Sequence, residues 1–182
     1  MFGQLIVSGL AVGACYALLA IAMVIIYKTS DVLNFAQGEM AMVSTFVAFT
    51  LLDAYHVPFP WAAAITFLFA ILLGIFFEIV FLRQAKDPNI LGLIIITLGF
   101  EMILMGFAGW KWGPDQRSFP FPVSNIEAYN YHGLIISKIN FWTILVTLAL
   151  MFVLFVFFRY TKLGTAMRAT QQNQLAARVM GI

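Results

Sequence analysis

The chain has 182 residues, of which 63% are hydrophobic and only 10% are charged, and its mean hydropathy is +0.96. These values exclude an ordinary soluble domain, in which about a quarter of the residues are charged. The single cysteine, Cys15, excludes a disulfide framework or a cysteine metal site built within the chain. The net charge of +2 identifies no partner by itself, because the placement of charges is what matters in a membrane protein.

Five segments are apolar and long enough to cross a bilayer, each near the roughly 20 residues that span the hydrocarbon. They comprise residues 5–27, 38–55, 61–82, 90–110 and 140–158. We therefore predict an all-α integral membrane protein, a polytopic helical bundle of about five transmembrane segments in one domain over residues 1–182. The second segment is the weakest, because its uninterrupted apolar core, 40–52, has 13 residues, a length that also fits a re-entrant or buried helix.

The first segment carries Gly9, Gly13 and Ala17 at four-residue spacing, so one face of the predicted helix is nearly free of side chains. Small residues at this spacing allow close helix packing. We interpret the face as a packing seam, within the chain or with a neighbour, with a solute-lining role as the alternative. The segment lacks a basic n-region and exceeds the roughly 7–15 residues of a signal-peptide core, which predicts that it is retained.

A polar stretch, KTSDVLNFAQGEM, separates the first two apolar segments and contains Asn34, Gln37 and Glu39. Asn34 followed three residues later by Gln37 resembles a capping box at the start of the second helix. The same three side chains are candidates for lining a solute path, because non-helical backbone at membrane depth survives only within protein or beside water. The two interpretations are compatible.

Two carboxylates interrupt apolar runs, Glu78 in FFEIVFL and Glu101 in TLGFEMILMG. An ionised carboxylate near the bilayer centre costs several kcal/mol unless it is paired, hydrated or protonated. Glu78 lies five residues before Arg83, so its side chain can reach the inner headgroups. Glu101, with Thr97 one turn earlier, lies nearer the centre of its span. Both Thr97 and Glu101 are therefore candidate path residues, with subunit packing as the alternative.

The longest connection, residues 111–139, contains turn-forming glycine and prolines and is predicted to be an outer loop. If the N-terminus is outside and all five segments cross, seven basic residues face the cytoplasm against three outside, as the positive-inside rule requires. The cytoplasmic set is Lys28, Arg83, Lys86, Arg159, Lys162, Arg168 and Arg178. This orientation places residues 159–182 in the cytoplasm.

Residues 163–182 follow the last apolar segment and are no longer membrane-like. Leu175, Val179 and Ile182 line one side of a predicted helix, while Arg168 and Gln171 supply polar contacts. The pattern is typical of a helix that docks in a groove on a soluble partner. An interfacial helix resting on headgroups is the alternative.

Motifs that would indicate an enzyme are missing from the sequence. No P-loop of the form G-x-x-x-x-G-K-[ST] occurs, so we expect any ATP hydrolysis to be done by other subunits. Neither H-E-x-x-H nor G-x-S-x-G occurs either. We predict no catalytic residue, no metal site and no cofactor bound by this chain.

Three stretches together resemble the permease family of branched-chain amino-acid ABC importers, the LivH type, whose close relatives serve urea and short amides. They are SGLAVGACYALLAIAMVIIYKTSDVLNFAQGEM at the start, LIIITLGFEMIL with GPDQRSFP in the middle, and LGTAMRATQQNQLAARVMGI at the end. The resemblance covers the whole chain, and NFAQGE at 34–39 and the terminal stretch are its specific motifs. The family pattern continues past Ile182 with more spans, so we expect this chain to be the N-terminal part of a permease.

ABC permeases generally carry E-A-A-x-x-x-G in a cytoplasmic loop that docks on the ATPase as the coupling helix. Ala176, Ala177 and Gly181 stand at this spacing, with Leu175 at the glutamate position. The resemblance implies that residues 163–182 form the coupling helix. The implied contact residues are Arg168, Gln171, Leu175, Ala176, Ala177 and Gly181.

The resemblance also implies a place in an ATP-driven importer of branched-chain amino acids in the bacterial inner membrane. The implied partners are a second permease subunit, two ATP-binding cassette subunits that use ATP-Mg, a periplasmic solute-binding protein and a small polar solute, with no nucleic acid. Three alternatives stay open. They are a urea or short-amide permease, an ion-coupled secondary transporter in which Glu39 and Glu101 bind protons or cations, and a non-transporting assembly subunit.

Overall fold

The computed structural model describes residues 2–30, 32–85, 89–115, 117–120, 128–131 and 134–172. Within these ranges the helices are α1 (Phe2–Ser30), α2 (Gln37–Asp53), α3 (Phe59–Phe77), α4 (Ile90–Trp112), α5 (Lys138–Tyr160) and α6 (Lys162–Gln172). A π-helical turn, Glu78–Leu82, extends α3, and strands β1 (Ala128–Tyr131) and β2 (Leu134–Ser137) pair antiparallel.

Four helical segments in the described part of the chain are long and apolar enough to cross a membrane. They are Phe2–Lys28, Phe59–Leu82, Ile90–Trp112 and Lys138–Tyr160, and they confirm the predicted all-α polytopic membrane protein. Helix α2 has 17 residues, so it is about 25 Å long at 1.5 Å per residue, against about 30 Å of hydrocarbon. Its crossing of the membrane, and with it a fifth span, stays a prediction.

The β-hairpin lies within the predicted outer loop 111–139. Ala128 pairs with Ser137 and Tyr131 with Leu134, so β2 leads directly into α5. At the other end of the loop, Gly113 caps the C-terminus of α4, with a φ of 82°, and donates its amide hydrogen to Gly109 O. Glycine is favoured there because a side chain is strained at a positive φ.

The described residues cluster into two compact units. Unit 1 consists of Met1–Ser30 and Val123–Ile182, and unit 2 consists of Asp31–Pro122. Unit 1 therefore contains α1, the hairpin, α5 and α6, while unit 2 contains α2, α3, the π-helical turn and α4. All of the predicted path residues fall in unit 2, and the described part of the predicted coupling segment, 163–172, falls in unit 1.

In unit 1, α1 and α5 pack side by side and run in the same direction. Near the start of both helices, Asn140 Nδ2 donates a hydrogen bond to Ser8 Oγ at 2.9 Å. Near their ends, Lys28 and Phe158 line one groove. Helix α6 follows α5 after a single residue, Thr161, and packs against both α1 and α5 at this end.

In unit 2, α2, α3 and α4 surround a core built from stacked rings. Phe77 stacks on Phe100 with centroids 4.4 Å apart, and Phe46 stacks on Trp112 at 5.0 Å. Trp112 Nε1 donates a hydrogen bond to Thr50 Oγ1 at 2.9 Å. Because Thr50 and Trp112 both lie near the C-terminal ends of their helices, α2 and α4 run parallel.

Outside these cores, many large apolar side chains of the long helices are exposed. Phe67 on α3, Met102 on α4 and Phe152 on α5 are each two-thirds or more exposed. Soluble monomers rarely leave such apolar surface uncovered. The exposed faces are the surfaces that lipid tails and neighbouring subunits contact in a membrane protein.

Candidate functional site

The candidate path residues come from two places in unit 2, the start of α2 and the middle of α4. The hydrogen bond between Trp112 and Thr50 aligns the ends of these parallel helices. Counting back from that bond by equal rises per residue brings the first turn of α2, with Glu39, level with Glu101 on α4. Glu39 and Glu101, which are 62 positions apart in the sequence, therefore lie at a similar level along α2 and α4.

Asn34 organises the turn that leads into α2. Its Oδ1 accepts a hydrogen bond from the Ala36 amide at 3.1 Å, and its own carbonyl oxygen accepts one from the Gln37 amide at 3.3 Å. Ala36 is fully buried and Asn34 nearly so. An amide with no water contact requires such a partner, so the Asn34 side chain has a structural role whatever else it does.

The predicted capping box is wrong. Helix α2 begins at Gln37 with Ala36 as its N-cap, and no side-chain hydrogen bond caps it. The reason is that Asn34 lies three residues before the helix, where its short side chain reaches the Ala36 amide instead of an amide of the first helical turn. The arrangement is an Asx turn, a common alternative use of asparagine next to a helix start.

Glu39 and Gln37 are half-buried in the first turn of α2. In the described part of the chain the Glu39 carboxylate forms no ion pair or hydrogen bond. A negative charge in the first turn is favoured by the partial positive charge of the helix N-terminus. The position of Glu39 in the first turn is therefore electrostatically favourable for a carboxylate.

Thr97 occupies the core of unit 2. It is 1% exposed, and its Oγ1 donates its hydrogen to Ile94 O at 2.8 Å. The hydroxyl is satisfied by its own helix and has no surface to offer a solute in this conformation. Thr97 shares a buried stripe of α4 with Phe100, Leu104, Ala108 and Trp112.

Glu101 lies one turn after Thr97 and shares the same angular sector of α4 as the buried stripe, at 100° per residue. Its side chain is nevertheless half-buried. In the described part of the chain its carboxylate forms no ion pair or hydrogen bond, and no His, Cys, Asp and Glu cluster there could hold a metal ion. An ionised carboxylate on an apolar membrane helix without a protein partner requires water, a solute or a neighbouring subunit.

Arg168 is the one predicted coupling residue whose side chain lies among the described residues. Its Nη2 donates to Arg159 O at 3.2 Å and to Thr165 Oγ1 at 3.3 Å, and its Nε donates to Gly164 O at 3.4 Å. A cation at the carbonyl end of α5 is electrostatically favourable. The backbone of Gln171 belongs to α6, while Leu175, Ala176, Ala177 and Gly181 lie outside the described residues.

The predicted packing seam on α1 is open within unit 1. Gly9 and Gly13 are exposed, and a Cβ atom built on either would meet no atom within 4 Å. Ala17, one turn further along, is half-buried. Gly9 and Gly13 therefore pack against no helix within the described part of unit 1. We retain the prediction that this face packs against a neighbouring subunit.

Two residues that the sequence reasoning missed set the angle between α5 and α6. Thr161 Oγ1 donates to Phe157 O at 2.6 Å at the end of α5 and accepts from the Gly164 amide at 3.0 Å at the start of α6. Gly164 is buried, and a Cβ there would lie 2.5 Å from Phe158 O. The T-K-L-G spacing is a helix-start signal that could have revealed Thr161.

Comparison with known proteins places the chain among membrane transport components. Residues 5–182 match the model of the family described as "Branched-chain amino acid transport system / permease component". The probable branched-chain amino acid transport permease protein LivH of Methanocaldococcus jannaschii is 29% identical over 99% of this chain. The high-affinity permease proteins BraD of Pseudomonas aeruginosa and LivH of Salmonella typhimurium are 27% and 26% identical over 98% and 100% of it.

These relatives are longer proteins. The chain spans 56% of the length of the Methanocaldococcus protein and 62% of the lengths of the Pseudomonas and Salmonella proteins. No solved structure matches the chain. The match runs through both units, so it includes the α2 turn, the middle of α4 and the segment after α5.

Proposed function

The chain belongs to the permease-component family of branched-chain amino acid transport systems, and from this premise we propose that it forms part of the path of an ATP-driven importer of these amino acids. It is a multi-pass membrane protein and a transport component rather than an enzyme. The observation that carries the proposal is the family match over residues 5–182. Because the chain spans under two thirds of its relatives, the transport activity of a whole permease is part of the proposal.

The path would be lined on this chain by Glu39, Gln37 and Glu101. The half-buried carboxylates of Glu39 and Glu101 form no ion pair within the described residues, which supports a role toward the ammonium group of an amino acid. Asn34 and Thr97 would support the path without lining it, since both are buried and their side chains are hydrogen-bonded to backbone groups. They would fix the α2 turn and the packing of α4 that hold the carboxylates in place.

We further propose that the chain acts with a second permease subunit, two ATP-binding cassette subunits and a periplasmic solute-binding protein in an inner membrane. The segment after α5 would transmit ATP-driven closure, with α6 held by Thr161 and Arg168 at the end of α5. The sequence A-A-x-x-x-G at 176–181 supports this role. Replacing Gly181 with Leu should leave ATPase activity intact and abolish uptake in the assembled importer; unchanged uptake would contradict docking at this position.

The deciding experiment is uptake by proteoliposomes that hold this chain with its partner subunits and binding protein. We expect saturable uptake of labelled leucine that requires ATP and persists when ion gradients are collapsed. Urea uptake without leucine uptake would indicate a urea or short-amide permease. Uptake that follows an ion gradient and ignores ATP would indicate a secondary transporter, and no uptake despite stable assembly would indicate an assembly subunit.

A further inference from the structure

A groove lies at the end of unit 1 where α1 and α5 terminate. It has a volume of about 370 Å³ and is open on one side. Its wall is made by the last turns of α1, by α5 and by α6. The lining residues are Ala20, Ile21, Val24, Ile25, Lys28, Phe158 and Arg168. The groove thus combines an aliphatic and aromatic wall with two cationic side chains.

The guanidinium of Arg168 is held in place by the protein backbone. Its Nε and Nη2 atoms donate to the carbonyl oxygens of Gly164 and Arg159 and to the Thr165 hydroxyl. Within the described residues its Nη1 donates to no protein group, so one edge of the guanidinium is fixed and the other remains available. Lys28, across the groove, forms no ion pair or hydrogen bond with any described residue.

Among the described residues of unit 1, the charged side chains near the groove are all basic. The described part of unit 1 includes five Lys and Arg residues and no Asp or Glu. Four of the five lie at this end of the unit: Lys28, Arg159, Lys162 and Arg168. Positive charge concentrated beside a low-dielectric wall favours an anion.

The position of the groove identifies the kind of anion. α1 and α5 are long and apolar enough to cross a membrane, so their ends meet the headgroup layer while the preceding turns meet acyl chains. Basic pockets between membrane helices recognise anionic headgroups. We propose that this groove binds an anionic phospholipid, with its phosphate between Lys28 and Arg168 and an acyl chain along Ile21, Val24 and Phe158.

This site depends only on the membrane insertion of unit 1 and not on the proposed solute. A bound lipid would contact α1 and α6 at once. It would therefore link the first span to the segment proposed to receive the ATPase. A failure of the transport proposal would leave the lipid site untouched, and the reverse also holds.

The test is native mass spectrometry of the delipidated full chain, titrated with equal amounts of dioleoyl phosphatidylglycerol and dioleoyl phosphatidylcholine. We expect selective retention of phosphatidylglycerol. Lys28→Gln and Arg168→Gln should each lower its occupancy about fivefold, the effect of one basic residue near an anionic headgroup. Lys162→Gln removes the same charge at the same end but outside the groove, and it should change occupancy by less than half as much.

Further variants separate the groove from general surface charge. Lys28→Arg should retain binding, and Val24→Trp, which fills the apolar wall, should reduce it. Equal retention of the two lipids, an equal effect of Lys162→Gln, or no effect of Val24→Trp would each overturn the proposal. Displacement of the lipid by inorganic phosphate at a concentration equal to that of the lipid would also overturn it, because the acyl chain would then contribute nothing to binding.

Discussion

Glu101 is a carboxylate in a setting that is unusual for a membrane-helix side chain. It lies on an apolar span, is half-buried and has no ion-pair partner among the described residues. The alternative role is packing, in which a neighbouring subunit supplies the polar groups around the Glu101 carboxylate. The two roles differ in what removing the charge does to transport.

We predict that Glu101→Gln lowers the uptake rate roughly 10- to 100-fold, since a hydrogen bond to a charged group contributes about 1.5–3 kcal/mol. The isosteric amide preserves shape, so assembly should be unaffected. Uptake of labelled leucine by the assembled importer, normalised to protein content, measures the change. Glu78→Gln is the matched control, because Glu78 is exposed on the π-helical turn; equal uptake by both variants would contradict a path role.

Asn34 belongs to a predicted functional motif, and its side chain also stabilises the turn that leads into α2. Asn34→Ala would leave the buried Ala36 amide without its acceptor. We expect the free energy of unfolding to fall by about 1–3 kcal/mol, the cost of an unsatisfied buried group. Thermal unfolding of the purified chain in detergent measures it. Asn34→Asp keeps the acceptor oxygen and should lower the free energy of unfolding by less. An Asn34→Ala protein as stable as the unchanged chain would show that other contacts hold the turn.

At the scale of elements, the junction of α5 and α6 is fixed by close backbone contacts. Thr161 bonds to both helices, and Gly164 packs directly on the α5 backbone. Backbone atoms cannot move aside as a flexible side chain would. The orientation of α6 therefore depends on the absence of a side chain at Gly164.

Gly164→Ala should destabilise the chain by about 1–3 kcal/mol through overpacking, and it should weaken the coupling of ATP hydrolysis to uptake. Thermal unfolding in detergent and the ratio of ATP hydrolysed to leucine imported are the two measurements. Gly9→Ala provides the control in the isolated chain, because the Cβ would meet nothing within 4 Å. Alanine is also the better helix former there, so a loss of stability in Gly9→Ala alone would contradict this account.

On the scale of the whole molecule, the distribution of basic residues predicts the sides of the membrane. The predicted cytoplasmic side holds seven Lys and Arg residues against three outside. This orientation determines where an ATPase could bind. It can be tested without any transport assay.

In a Cys15→Ser background, we predict that Gln172→Cys is shielded from a membrane-impermeant maleimide in intact spheroplasts and reacts after permeabilisation. Asp115→Cys, in the predicted outer loop, should react in intact spheroplasts. Both Gln172 and Asp115 are exposed, so failure to react reports the membrane and not the fold. The opposite pattern would place the α6 end outside and remove the basis for ATPase docking.

Local properties of the sequence were sufficient to determine the membrane class and the four long helices, because the bilayer selects for length and hydropathy within each segment. The resemblance to the permease family came from specific motifs such as NFAQGE at 34–39. The buried face of each helix could not be predicted from the sequence, since a helix that is apolar on all sides shows little hydrophobic periodicity. The bond between Thr50 and Trp112, which are 62 residues apart, depends on helix pairing and rotation. The same holds for the closeness of Gly164 to α5 and for the groove that joins Lys28 to Arg168. Only the tertiary structure decided these features, because they arise from contacts between segments whose individual compositions are nearly the same.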